Sequence, residues 1–109
     1  MRQAAVFNNK EYAGILTERT PQYFVFRYAD TWFQNAQKPP ISLTLPKIKQ
    51  EYQSPFLFPF FFNMLSEGVN KALQCNHLHI DENDSFGLLI ATAGFDTIGA
   101  ITVKPLADE

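Results

Sequence analysis

SPFLFPFFFNMLSEG, from Ser54 to Gly68, is the stretch on which the fold turns. Five of the chain's eleven phenylalanines fall between Phe56 and Phe62. Apolar surface of that density is poorly solvated, so it is either buried in a core or presented to a partner. From Pro59 the spacing is helical, with Phe61, Met64 and Leu65 at i, i+3 and i+4. The ending, Ser66-Glu67-Gly68, turns abruptly to small and polar residues. An aromatic block feeding a Glu-Gly turn predicts a contact loop held rigidly from behind, its phenylalanines mostly core.

Upstream of this stretch the apolar pattern has the period of strands. Ala4 to Phe7 is short and apolar and runs into Asn8-Asn9-Lys10. Asparagine tolerates positive φ, which predicts a tight hairpin turn there. Tyr12 to Thr17 is the returning strand, with Ala13, Ile15 and Thr17 alternating against Tyr12, Gly14 and Leu16. Thr20-Pro21 is a second turn. Tyr23 to Tyr28 follows, with Phe24, Phe26 and Tyr28 on one face and Tyr23, Val25 and Arg27 on the other. These short connections predict an antiparallel meander. In Ala29 to Lys38, Trp32 and Phe33 anchor a short helical turn, and Pro39-Pro40 ends any helix. Ile41 to Leu45 alternates apolar with hydroxyl residues and predicts a half-buried strand closed by Pro46. Lys47 to Gln53 is a polar connection.

Downstream, Val69, Ala72 and Leu73 repeat the helical spacing and predict a second helix from about Val69 to His77. Asp84 is placed as the N-cap of a third, with Phe86, Leu89, Ile90 and Ala93 as its apolar stripe and Gly94 as its C′ residue. Thr97 to Val103 is a β-branched strand ended by Pro105. Strands early, helices late and one returning strand give an α+β fold. The expectation is a small curved antiparallel sheet of about five strands packed with two or three short helices. The length, 109 residues, suits one domain spanning residues 1–109.

Composition removes several classes of function. The net charge is −2, from nine basic and eleven acidic residues. No basic cluster stands ready to neutralise phosphates, so direct nucleic-acid binding is not expected. Cys75 is the only cysteine, which excludes an intrachain disulfide and suits a reducing compartment. The N-terminal residues lack the apolar core of a signal peptide, and no apolar run approaches the ~18 residues of a membrane span. A cytoplasmic protein without a membrane partner is expected.

Nor does the chain carry a self-contained catalytic constellation. His77 and His79 are the only histidines, and a zinc site needs three or four ligands. The run Asp81-Glu82-Asn83-Asp84-Ser85-Phe86-Gly87 has a calcium-loop look, but Phe86 and Thr92 stand where that loop requires glycine and a bidentate glutamate. Cys75 lacks an oriented base. The five glycines are scattered singly, so there is no phosphate-cradling loop. Neither metal nor cofactor is expected, and no enzymatic activity.

Three blocks, taken in order, carry a family resemblance. Pro40-Ile41-Ser42-Leu43-Thr44-Leu45-Pro46 resembles the PISLSLP strand near the start of HipA-type kinases. Phe61-Phe62-Asn63-Met64-Leu65-Ser66-Glu67-Gly68 resembles their FFxNLLPEG segment. Asn83 to Leu89, followed by Gly94, Asp96, Gly99 and Ala100, resembles their NDPFGLLxxxGGDxxGA segment. The departures are local: Ser66 and Ser85 replace prolines, and Phe95 replaces a glycine.

The resemblance implies a HipA N-terminal domain, which precedes the kinase core in that family. This chain ends a few residues after the resemblance does, which leads us to expect a stand-alone protein similar to the HipS antitoxins of HipBST-type toxin–antitoxin systems. The implied partner is a HipT- or HipA-type Ser/Thr kinase, with a HipB-like DNA-binding protein as a third member of the complex. The alternative is a non-catalytic structural module, or an excised N-terminal domain, that assembles with a kinase core or a HipB-like protein. The expected contact residues are Ser66, Glu67, Gly68, Val69, Asn70 and Lys71, with Phe62 and Leu65 packed behind them.

Overall fold

A computed structural model gives the fold, and the structure describes residues 2–63, 65, 76, 79–81, 83–92 and 101–106. Strands β1 (Arg2–Asn8), β2 (Glu11–Thr20) and β3 (Tyr23–Tyr28) form the predicted meander. Helix α1 (Asp30–Gln34) follows, then β4 (Glu51–Ser54), α2 (Pro59–Phe62), α3 (Ser85–Thr92) and β5 (Ile101–Pro105). The sheet is antiparallel, in the order β4-β3-β2-β1-β5. The α+β architecture expected from the sequence is therefore the one observed.

The β1–β2 hairpin turns on Asn9 and Lys10, whose φ angles of 52° and 70° put both in the left-handed region. That is the backbone of a two-residue turn whose twist matches the strands it joins. The positive φ angles fall one residue later than the Asn8-Asn9 pair suggested.

One face of the sheet builds the core. Ala4 and Val6 of β1, Leu16 of β2, Phe24, Phe26 and Tyr28 of β3, and Ile101 and Val103 of β5 are buried there. The partner register explains the selection: Ala4 faces Leu16, Leu16 faces Phe26, and Val6 faces Val103. Strict alternation fails in β2. The pairing steps from Val6–Gly14 to Phe7–Tyr12, which leaves Ala13 as the extra residue of a bulge. A bulge changes which side consecutive residues face, so Ala13, Gly14, Leu16 and Thr17 are all buried while Ile15 is only half-buried. Gly14 is required at this point, because a Cβ there would lie 2.5 Å from the Arg27 carbonyl oxygen and 2.9 Å from Phe26 Cζ.

Two predicted elements are corrected. Ile41 to Leu45 is not a strand. The segment closes a turn, with the Leu45 amide donating to the Ser42 carbonyl at 3.1 Å and the Thr44 amide to Ser42 Oγ at 3.2 Å. Ile41 and Leu45 are buried, yet Leu43 between them is 94% exposed. The fold gains its strand instead within the segment read as a polar connection. Glu51–Ser54 pairs with β3, with Tyr52 opposite Phe26 and Ser54 opposite Phe24. Its sequence has no apolar alternation, and it pairs because β3 offers an unpaired edge. Pro105, expected to end the last strand, is its final paired residue, opposite Ala4.

Helix α3 starts where Asp84 was expected to cap it: Asp84 Oδ1 accepts a hydrogen bond from the Gly87 amide at 3.0 Å. Phe86 and Leu89 are buried as predicted, and so is Leu88. The predicted helix near residues 69–77 lies outside the described residues apart from Asn76, which is helical, and so do Ala93, Gly94 and Thr97 to Ala100.

Candidate partner-docking surface

The predicted contact residues Ser66, Glu67, Gly68, Val69, Asn70 and Lys71 lie outside the described residues. What the structure describes is the element that leads into them. Helix α2 is a single turn begun by Pro59, and proline suits a first helical position because its fixed φ and missing N–H carry no penalty there. Phe61 points inward, fully buried, with its ring centroid 5.8 Å from that of Phe26 and 5.2 Å from that of Phe60. Asn63 caps the turn through its amide, and the Leu65 amide donates to the Phe62 carbonyl at 3.1 Å. Leu65 is buried.

The other residue expected behind the predicted contact segment is Phe62. It is 44% exposed, and Phe56 is 75% exposed. Of the aromatic block Phe58 and Phe61 are buried and Phe60 packs half-buried against the core, so three of its five rings are core, while Phe56 and Phe62 are not. A one-turn helix against a sheet has one inward position per turn, and the neighbouring rings must face elsewhere. Phe56 and Phe62 line a cleft of about 530 Å³ whose other wall is formed by Arg2, Glu18, Asp84 and Phe86.

That wall is a charged cluster which no local signal in the sequence reveals. The Arg2 guanidinium donates from Nε to Glu18 Oε1 at 2.8 Å and, through its two terminal nitrogens, to Asp84 Oδ2 at 3.0 Å and Oδ1 at 2.7 Å. Its central carbon sits 5.2 Å from the Phe86 ring centroid, within cation–π range. The bidentate geometry suits a planar guanidinium and a carboxylate. The hydrogen bonds from Arg2 hold the Asp84 carboxyl below its usual range; burial opposes this, and the Gly87 amide adds to the lowering. Gly87 makes room for the pair, since a Cβ there would lie 2.2 Å from Asp84 Oδ2 and 3.0 Å from an Arg2 nitrogen. Arg2 and Asp84 are 82 residues apart, so the cluster joins the first strand to the start of α3.

Arg2→Met is expected to destabilise the protein by about 1–2 kcal/mol, because it leaves Glu18 and Asp84 without their donor; solvent screening at partly exposed side chains limits the effect. The sign with pH follows from the lowered Asp84 value. Stability from this pair is complete above the unfolded carboxyl value of about 3.9 and is lost as pH falls through the folded one. Urea midpoints of the two proteins should therefore differ at pH 7 and converge as the pH is lowered below about 4. A gap that persists unchanged in acid would place the effect in packing on Phe86 instead.

Among the described residues no group of histidine, cysteine or carboxylate side chains is arranged to hold a metal ion. Among the same residues no helix is long and apolar enough to cross a membrane. His79 is exposed, at a positive φ of 58°. The run from Asp81 is a turn in which Asp81 Oδ1 accepts from the Asn83 amide at 2.8 Å, followed by the Asp84 cap.

Comparison with known proteins agrees with this architecture. The family model of the HipA N-terminal domain matches residues 4–104. An uncharacterized protein of Haemophilus influenzae is 32% identical over 104 residues, covering 95% of this chain and 92% of its own length. The solved structure of an N-terminal domain of HipA toxin superposes with a TM-score of 0.74 at 28% identity, covering 100% of this chain and 96% of that one.

Proposed function

The chain belongs to the HipA N-terminal domain family, and from that membership we propose that it is a non-catalytic antitoxin that binds a HipT- or HipA-type Ser/Thr kinase and restrains it. The observation that carries this reading is the extent of the relationship. The family match spans nearly the whole chain, and the Haemophilus influenzae relative aligns over 92% of its own length. The domain alone thus accounts for almost all of that relative, with no room in it for a kinase core.

In this reading Ser66, Glu67, Gly68, Val69, Asn70 and Lys71 approach the kinase's active-site cleft. Leu65 and the Phe58–Phe61 pair brace the chain just before them, with those two ring centroids 6.4 Å apart. A segment held at its base loses less conformational entropy on docking, which favours affinity. A second reading is favoured by the likeness to the N-terminal domain of HipA toxin: a structural module that completes a kinase or bridges it to a HipB-like DNA-binding protein without touching the active site.

Co-expression with a HipT- or HipA-type kinase separates the two. The antitoxin reading expects restored growth and loss of kinase autophosphorylation when this chain is present. Stable co-purification with undiminished phosphorylation would favour the structural module, and no complex at all would overturn both. The double substitution Glu67→Ala and Val69→Ala is expected to weaken the complex by about tenfold or more with an unchanged melting temperature. Unaltered affinity would remove this segment from the interface.

A further inference from the structure

The cleft beside α2 has chemistry of two kinds. Phe56 and Phe62 stand at 75% and 44% exposure on one side, although the same stretch places Phe58 and Phe61 in the core. Single exposed rings are ordinary, but two lining the same cleft of about 530 Å³ form a surface that gains by being covered. The other side is acidic. Glu18, Asp81 and Asp84 contribute three carboxylates against the one guanidinium of Arg2, a net charge of −2 among the described lining residues. Arg2 is engaged by Glu18 and Asp84. Among the described residues Asp81 accepts only a backbone amide in its own turn, and an ionised carboxylate has acceptor sites for several donors.

We propose that this cleft docks a protein segment presenting an aromatic or branched aliphatic side chain next to a lysine or arginine. The apolar side chain fits against Phe56 and Phe62, and the cation fits between the Asp81 carboxylate and the ring faces. Charge complementarity selects the occupant. An acidic segment would meet the carboxylates at close range, and a neutral apolar one would desolvate the Asp81 carboxylate while giving its remaining acceptor sites no donor. The proposal uses no residue of the Ser66 to Lys71 segment, so either can fail without the other.

The test is a titration of the isotopically labelled whole chain with the capped peptides KFRFK and EFEFE, followed by amide chemical shifts. KFRFK is expected to bind at least about tenfold more tightly than EFEFE and to weaken as salt is raised. Its shifts should centre on Phe56, Phe62 and Asp81. Phe56→Ser, at an exposed position, and Asp81→Asn, which keeps the acceptor of the local turn, should each weaken it severalfold with no change in melting temperature. Equal binding of the two peptides, or shifts away from the cleft, would overturn the proposal. So would concentration-dependent self-association abolished equally by Phe56→Ser and Ile48→Ser. Ile48 is 85% exposed between Lys47 and Lys49, and that result would make the occupant a second copy of this chain.

Discussion

Phe61→Ala is expected to lower the unfolding free energy by about 3–5 kcal/mol, the range for removing a buried phenylalanine ring from a core that cannot collapse around the gap. The reason lies in how α2 is held. Four residues, Pro59–Phe62, are far too few for a helix to sustain itself through its own backbone bonds. What fixes this turn is the fully buried Phe61 ring, set among Phe26 of the sheet and Phe58 and Phe60 of its own segment. Domains of this size are stable by only about 5–15 kcal/mol, so the substitution takes a large share of the total. Urea unfolding followed by circular dichroism measures it. Phe56→Ala is the control, and at 75% exposure it should change stability by no more than about 0.5 kcal/mol. A loss below about 1 kcal/mol for Phe61→Ala would mean that α2 is not pinned in this way. Because α2 leads directly into Ser66 to Lys71, a variant that stays folded in the cold should also bind the kinase more weakly.

Tyr28→Phe is the second large effect, at about 2–4 kcal/mol for the loss of a single oxygen. Tyr28 is fully buried, and its hydroxyl accepts from the Ile41 amide at 3.1 Å and donates to the Leu45 carbonyl. Burial pushes the phenol up to about 12, so it remains a proton donor throughout the neutral range. Phenylalanine would fill the same space in the edge-on contact with Phe26, whose centroid is 4.9 Å away. It would leave an amide and a carbonyl buried without partners, and an unmade buried hydrogen bond is more damaging than the net worth of a made one. Amide hydrogen exchange should show the loss locally, with protection falling at Ile41 and Leu45 more than in β1 and β2. Uniform loss across the sheet would show that the hydroxyl stabilises the whole fold rather than this turn.

The same hydroxyl explains a failure of sequence reading. Ile41-Ser42-Leu43-Thr44-Leu45 alternates as a strand should, yet it forms a turn because both of its ends are tied to one side chain of β3. Alternation reports which residues avoid water. It cannot say whether a sheet edge or a tyrosine receives them. The converse holds for Glu51–Ser54, whose composition carries no strand signal and whose pairing comes from the edge it meets. The cleft beside α2 divides in the same way. Asp84 was legible as a helix cap because the cap and the apolar residues it precedes are neighbours in the chain. Its partner Arg2 was not legible, since nothing in either residue's surroundings marks a contact across 82 positions. Among the five phenylalanines from Phe56 to Phe62, the sequence shows density but not direction, and only packing against Phe26 assigns Phe61 to the core and Phe62 to the cleft.

The sequence by itself determined the meander from β1 to β3, the start of α3, the change from strand to helix at Pro59 and the family resemblance. Each of these rests on residues within a few positions of one another, where backbone preference and periodicity act. The tertiary structure alone decided where β4 lies, how the Ile41 to Leu45 segment turns, which rings face water and that Arg2 closes onto Asp84. Those outcomes depend on which distant groups meet once the sheet has formed, and the free energy of such meetings resides in the burial and hydrogen bonding of the pair rather than in either residue alone.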